Sequence, residues 1–143
     1  VKVGELLGDI QKLFPSSKVR YIYKVEDECR KLMIDRSQME QVLINLLKNA
    51  SEACEESPNP EVVVETTYQE EKYIFQLSVT DNGCGILPDV LDRIFIPFFT
   101  TKSTGSGIGL SLCKQIVTMH GGSIRVTSEI GKGSCFVVKM VVK

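Results

Sequence analysis

Three groups of residues in this chain have types and spacings that suit chemistry. The first is Asn45 and Asn49, four residues apart in a segment of helical periodicity. On a helix such a pair lies about 40° apart around the axis, so both amides can reach a crevice beside the core. They could equally be half-exposed polar residues at the border of an apolar stripe. The second is Asp81-Asn82-Gly83-Cys84-Gly85-Ile86, directly after an alternating segment that ends in Leu77, Ser78, Val79 and Thr80. A carboxylate at a strand's end followed by two glycines makes a chain that turns sharply and can approach a flat ligand closely, because glycine lacks a Cβ and tolerates positive φ. An ordinary Asp-Asn-Gly turn has the same spelling. The third runs from Phe95 through Pro97, Phe98, Phe99, Thr100, Thr101 and Lys102 into Gly105-Ser106-Gly107-Ile108-Gly109-Leu110. Glycines just before a helix leave backbone N–H groups and the positive end of the helix dipole free to hold phosphate oxygens, with Lys102 as a nearby mobile charge. A flexible linker is the alternative.

Other chemistries lack their residues. The glycines are spaced GxGxG rather than GxGxxG, and no strand leads into them, so this is not a dinucleotide-binding fingerprint. The chain has no GxxxxGK[ST] loop, no GxSxG nucleophile elbow and no paired HRD and DFG sequences. The lone His120 precedes Gly121-Gly122 at the end of a helical segment, where a histidine commonly caps carbonyls; a structural role is the better reading. The five cysteines, at 29, 54, 84, 113 and 135, form no CxxC pair, which points to a reducing compartment rather than a disulfide or zinc framework.

The elements that must position these groups are legible from periodicity. Leu6, Leu7, Ile10, Leu13 and Phe14 predict a helix over residues 4–14, stopped by Pro15. Residues 19–25 and 31–34 read as strands. Asp35 is an N-cap with Gln38 as its capping-box partner, opening a long helix that runs to about Glu56. Its apolar line is Met39, Val42, Leu43, Leu46, Leu47, Ala50, Ala53 and Cys54, and Gln41, Asn45, Asn49 and Glu52 form a polar line on its flank. Residues 61–69 and 72–80 predict a hairpin, residues 81–109 an irregular stretch, and residues 108–119 a helix. A closing hairpin follows, residues 123–129 and 134–143 around Gly131-Lys132-Gly133.

At 143 residues, 43% of them hydrophobic, the chain suits one domain spanning residues 1–143 with a core that needs no staples. With 17 basic against 18 acidic residues, it lacks the basic excess of a surface built to coat nucleic acid or anionic lipid. No apolar run approaches the roughly 18 residues of a membrane span, so a cytoplasmic chain is expected, with its parent possible at a membrane anchor. The absence of an initial Met reads as a segment of something longer.

In this order and at these separations, the elements resemble the ATP-binding catalytic domain of sensor histidine kinases, within the superfamily that includes gyrase, mismatch-repair and chaperone ATPases (the Bergerat fold). Residues 45–50 match the asparagine box and 81–85 the first glycine box. Residues 95–102 match the phenylalanine box, in the PFFTTK form of nitrogen-regulation-type kinases. Residues 105–109 match the second glycine box, and 131–134 the small box near the C-terminus, beside a tail of His120, Gly121, Gly122, Ile124, Val126 and Ser128. Glu52 and Ala53 stand where many sensor kinases carry a basic residue and an aromatic, and Ile96 where a Glu is common.

The resemblance implies an α/β (α+β) two-layer sandwich, a mixed sheet of about five strands on three main helices, with ATP between the helix layer and a lid. It implies that Asp81 accepts a hydrogen bond from the adenine amine while Gly83, Gly85 and Ile86 let the ring approach. Asn49 would ligate Mg²⁺ with Asn45 in support, and Gly105, Ser106, Gly107, Ile108, Gly109 and Leu110 with Thr101 and Lys102 would hold the phosphates. Phe95 and Ser134 complete the implied site; Asn45, Asn49 and Lys102 are the implied catalytic residues. The implied partners are ATP, a histidine-bearing dimerisation domain of the same protein and, indirectly, a response regulator, in a homodimeric parent. The lid between Phe95 and Gly105 is expected to be mobile without nucleotide. Two other readings stay open: a nucleotide-binding regulatory module without phosphotransfer, and a hydrolytic ATPase of the same superfamily.

Overall fold

A computed structural model describes residues 2–15, 18–26, 31–96 and 109–141. Helix α1 (Val3–Leu13) buries Val3, Leu6, Leu7 and Ile10, the stripe its periodicity requires. Strand β1 (Arg20–Val25) follows. Helix α2 (Arg36–Cys54) opens where the Asp35 carboxylate accepts the Gln38 N–H at 2.9 Å, satisfying a donor that the first turn leaves orphaned. Arg36 ties the start of α2 to Glu40 and, across to α1, to Asp9. Strands β2 (Glu61–Gln69) and β3 (Ile74–Asp81), helices α3 (Pro88–Leu91) and α4 (Gly109–Met119), and strands β4 (Ser123–Glu129) and β5 (Gly133–Val141) follow among the described residues.

The strands form one five-stranded sheet in the order β1-β2-β3-β5-β4. β1 and β2 are parallel and all other neighbours antiparallel. A parallel pair needs a crossover, and α2 supplies it. Side chains alternate across the sheet: Val62, Val64, Phe75, Leu77, Val79, Phe136, Val138 and Met140 are buried on the face that α2 and α4 cover, while α1 packs on α2 and β1. The result is the expected two-layer sandwich with three main helices on one face.

The alternation has a consequence for chemistry. In β3 the buried positions are 75, 77, 79 and 81, so Asp81 continues the inward-facing series past Val79 and lies on the helix side of the sheet. Its cross-strand partner in β5, Ser134, is likewise buried. The sheet therefore ends in two polar side chains where the core would otherwise continue.

Several local expectations are corrected. Residues 31–34 are not a strand: Lys31 makes one isolated bridge to Lys2, and the segment alternates only as far as burying Leu32 and exposing Met33 before the Asp35 cap commits the chain to α2. The second strand of the first hairpin begins at Ile74 because Tyr73 takes a left-handed φ of 54° in the turn, and it includes Asp81. Helix α2 ends at Cys54, where the Ser57 N–H turns back onto the Cys54 carbonyl. The irregular stretch holds the short α3, started by Pro88 at a position where a missing N–H costs nothing. Gly133 joins β5. His120 has the expected capping role and one more: its Nδ1 bonds the Ile116 carbonyl at 2.9 Å and its Nε2 accepts the Asp35 N–H at 3.3 Å, clipping the end of α4 to the cap of α2.

Candidate functional site

Asp81 is 5% exposed, and its Oδ1 accepts the Gly83 N–H at 2.8 Å. Burial pushes its carboxyl above the usual carboxylate range, opposed by the backbone N–H groups of Gly83 and Ser134 that favour the ionised form. The loop after it is packed tightly on both sides. A Cβ on Gly83 would overlap the Ala53 carbonyl at the end of α2, and one on Gly85 would overlap the Glu129 carbonyl at the end of β4. These two glycines thus have packing reasons to be glycine, beyond what a ligand would ask of them. Asn82 fixes the loop from outside: its side chain accepts the Glu61 N–H at 2.9 Å and donates to the Asn59 carbonyl at 2.7 Å, and its carbonyl accepts the Ser57 hydroxyl at 2.9 Å. The far end of the loop is tied down where the Ile86 N–H meets the Ser128 Oγ at 2.7 Å.

A second cluster lies between α2 and α4. The Asn45 Nδ2 donates to the Gly109 carbonyl at 3.4 Å, and Cys113 lies behind it, its thiol turned to the Val42 carbonyl at 3.8 Å. Burial pushes the Cys113 thiol up to about 12, despite a hydrogen bond from the Asn45 side chain that favours thiolate, so it stays protonated and unreactive. Asn49, one turn on, is half-buried. Asn45, Asn49 and Ala53 follow one another at intervals of four along α2, a run of about 12 Å at 1.5 Å per residue. It leads from the start of α4 to the Asp81 loop, so one helix connects both clusters.

Phe95 sits edge-on to Phe136, with ring centroids 6.4 Å apart at 87°, and the Lys114 ammonium lies 5.5 Å from its centre. Leu110 packs against the core at the start of α4. The structure thus brings Asp81, Gly83, Gly85, Ile86 and Ser134 together at one end of the sheet, and Asn45 with Gly109 at the α2–α4 seam. Thr101, Lys102, Gly105, Ser106, Gly107, Ile108 and the lid lie outside the described residues. Sequence reading missed Asn82, Cys113 and the hydrogen bonding of Ser128 as parts of this site, because their partners are distant in the chain.

Among the described residues no group of His, Cys, Asp or Glu could hold a metal ion by itself. The asparagine amides fit only a hard ion that arrives with phosphate oxygens and water as its remaining ligands. Among the described residues Cys54, Cys84, Cys113 and Cys135 are free thiols, and no helix is long and apolar enough to cross a membrane.

The sequence profile described as histidine kinase-, DNA gyrase B- and HSP90-like ATPase matches residues 34–143. The chain belongs to this family. It is similar to the sensor histidine kinase ZraS of Escherichia coli K12, at 40% identity over 85% of this chain and 25% of that protein. It is also similar to the signal transduction histidine-protein kinase AtoS of the same strain, at 37% identity over 94% of this chain and 22% of the relative. The chain thus spans about a quarter of the length of these curated relatives. Among solved structures, the nucleotide-free catalytic domain of histidine kinase ThkA superposes with a TM-score of 0.85 at 28% identity, covering 99% of this chain and 93% of that one. Full-length ShkA in complex with AMPPNP gives 0.83 at 25% identity, covering 98% of this chain and 30% of its own. The fold and the histidine kinase-type ATPase family membership agree.

Proposed function

We propose that the chain is the ATP-binding catalytic domain of a two-component sensor histidine kinase. It holds Mg²⁺-ATP and presents the γ-phosphoryl to a histidine on a dimerisation domain of the same protein, from which the phosphoryl passes to a response regulator. Asp81 is the observation that carries this reading. A carboxylate at the edge of a core, held in place by the Gly83 N–H, is costly to bury unless a ligand uses it, and an exocyclic amine is a ligand that does. A 6-oxo purine would present an oxygen to it instead.

The second cluster supplies the other end of the nucleotide. Asn49, with Asn45 in support, would ligate Mg²⁺, and Gly105, Gly107, Gly109 and Lys102 would hold the β- and γ-phosphates. Bound Mg²⁺ would neutralise phosphate charge as the γ-phosphoryl leaves ADP. The run along α2 from Asn45 to Ala53 fits a ligand whose base lies at the Asp81 loop and whose phosphates lie toward α4. Position 45 sets the fate of that phosphoryl. In hydrolysing relatives a Glu is common there as a general base, whereas an amide cannot accept a proton at neutral pH, and this one already donates to the Gly109 carbonyl. Water is therefore activated poorly, and the γ-phosphoryl is kept for an imidazole nitrogen, which bonds the phosphorus as the bond to the β–γ bridging oxygen breaks. The PFFTTK spelling supports a nitrogen-regulation-type kinase, and the scattered thiols support a cytoplasmic site of action.

The test mixes the chain with ATP, Mg²⁺ and a separate dimerising fragment bearing the acceptor histidine. Acid-labile phosphohistidine on the fragment is the expected product. ATP binding without transfer to any such fragment would instead support a regulatory module, and steady phosphate release by the chain alone a hydrolase.

A further inference from the structure

Ser128 has no part in the reading above, yet its Oγ gathers three partners. They are the Ile86 N–H at 2.7 Å, the Gly133 carbonyl at 3.1 Å and the Ser134 hydroxyl at 2.9 Å. A serine hydroxyl carries one proton and two acceptor lone pairs. The Ile86 N–H can only donate and the Gly133 carbonyl can only accept. All three contacts are hydrogen bonds at once in a single arrangement: Ser128 gives its proton to Gly133, and Ser134 gives its proton to Ser128. The reverse direction between the two serines would take the Ser128 proton away from the Gly133 carbonyl. Ser134 is 5% exposed and stands directly across from Asp81 in the β3–β5 ladder. With its proton committed to Ser128, its oxygen can only accept.

We propose that Ser128 is a positioning residue of the nucleotide site, fixing the Asp81–Ile86 loop and making Ser134 an acceptor beside Asp81, so that the two together select a purine carrying its amino group at the 6-position. Two acceptors match the two hydrogens of an amine and repel a carbonyl oxygen, so discrimination against a 6-oxo purine depends on a hydroxyl that touches neither base nor phosphate. This inference rests on the proposed nucleotide site and names what sets its base specificity.

The test compares Ser128→Ala and Ser128→Thr in the full chain by two readouts. Without nucleotide, hydrogen exchange at the Ile86 amide should speed up about tenfold in Ser128→Ala and stay near wild type in Ser128→Thr, which keeps the hydroxyl. With Mg²⁺, the calorimetric ratio of ADP to inosine diphosphate affinity should fall about tenfold in Ser128→Ala and recover in Ser128→Thr. Equal losses for both nucleotides would assign Ser128 a merely structural role and overturn the proposal, as would unchanged Ile86 exchange in a folded Ser128→Ala. Should the alanine variant not fold, Ser128→Cys carries the same comparison with the same expectation. Wild-type chain binding neither nucleotide would defeat the nucleotide reading itself, while normal wild-type binding with an unaltered ratio in the variants would defeat only the role of Ser128.

Discussion

Asp81→Asn should bind Mg²⁺-ATP at least about tenfold more weakly than wild type while melting no lower at pH 7. The affinity loss follows from the hydrogen bond exchanged. A bond to a charged acceptor contributes about 1.5–3 kcal/mol, or roughly ten- to a hundredfold in affinity. An amide whose oxygen keeps the Gly83 N–H must turn its NH₂ toward the ligand, setting donor against donor. The stability half follows from burial. Asp81 has its pKa raised above the ordinary 3.8, with desolvation as the largest cause. The folded chain therefore binds that proton more tightly than the unfolded chain does. This contribution to stability is complete below 3.8 and is lost as pH rises through the raised folded value, so at pH 7 the ionised group is a net cost to the empty chain. The amide does not titrate and removes that cost. Lowering the pH through the same window should weaken ATP binding to wild type more than to the variant, the difference between them reporting Asp81 because the titration of ATP itself is common to both. Calorimetric titrations and melting curves check both halves; wild-type affinity in the variant would take Asp81 out of the base site.

Gly133→Ala should be the most destabilising small substitution near the site. Gly133 has φ of 128°, and a Cβ there would overlap the Asp81 carbonyl and come within 3.0 Å of the Asn82 Cα. These are backbone atoms of a paired central strand, so no side chain can swing away. Strain of this kind together with overpacking costs about 3 kcal/mol, which for a chain of this size is a fall of about 10 °C in Tm. Gly131→Ala is the control: its φ is also positive, at 82°, but nothing lies within 4 Å of the added carbon. It should cost about 1 kcal/mol, and equal falls in the two variants would show that the contact with Asp81 is not what matters. Because the Gly133 carbonyl also takes the Ser128 proton, nucleotide affinity should drop in Gly133→Ala beyond what its stability explains.

The sequence already contained α2, because its cap, stripe and polar flank are local signals that the same helix satisfies together. The two hairpins were legible for the same reason, as period-2 runs around turn residues. Asp81 was legible as a site residue, but its direction was not. Whether it starts a loop or ends a strand depends on pairing with Val62 and Ser134, one of them far along the chain. The same reason hid Asn82, which spells an ordinary turn and instead holds three partners between residues 57 and 61. Ser128 reads as one polar position in an alternating strand, and only the folded sheet shows that its oxygen meets Ile86. Residues 31–34 failed in the opposite way: alternating burial was present, but the segment joins no ladder, and Lys31 makes an isolated bridge to Lys2. Periodicity reports which face is buried, not whether a ladder is there to join.

The most direct measurement is a crystal structure of the chain grown with Mg²⁺ and a non-hydrolysable ATP analogue. It should place the exocyclic amine within hydrogen-bond distance of the Asp81 carboxylate and the metal on the Asn49 amide oxygen, with the phosphates toward the start of α4. Base density anywhere else, or an Asp81 pocket closed by its own side chains in saturating analogue, would contradict the account.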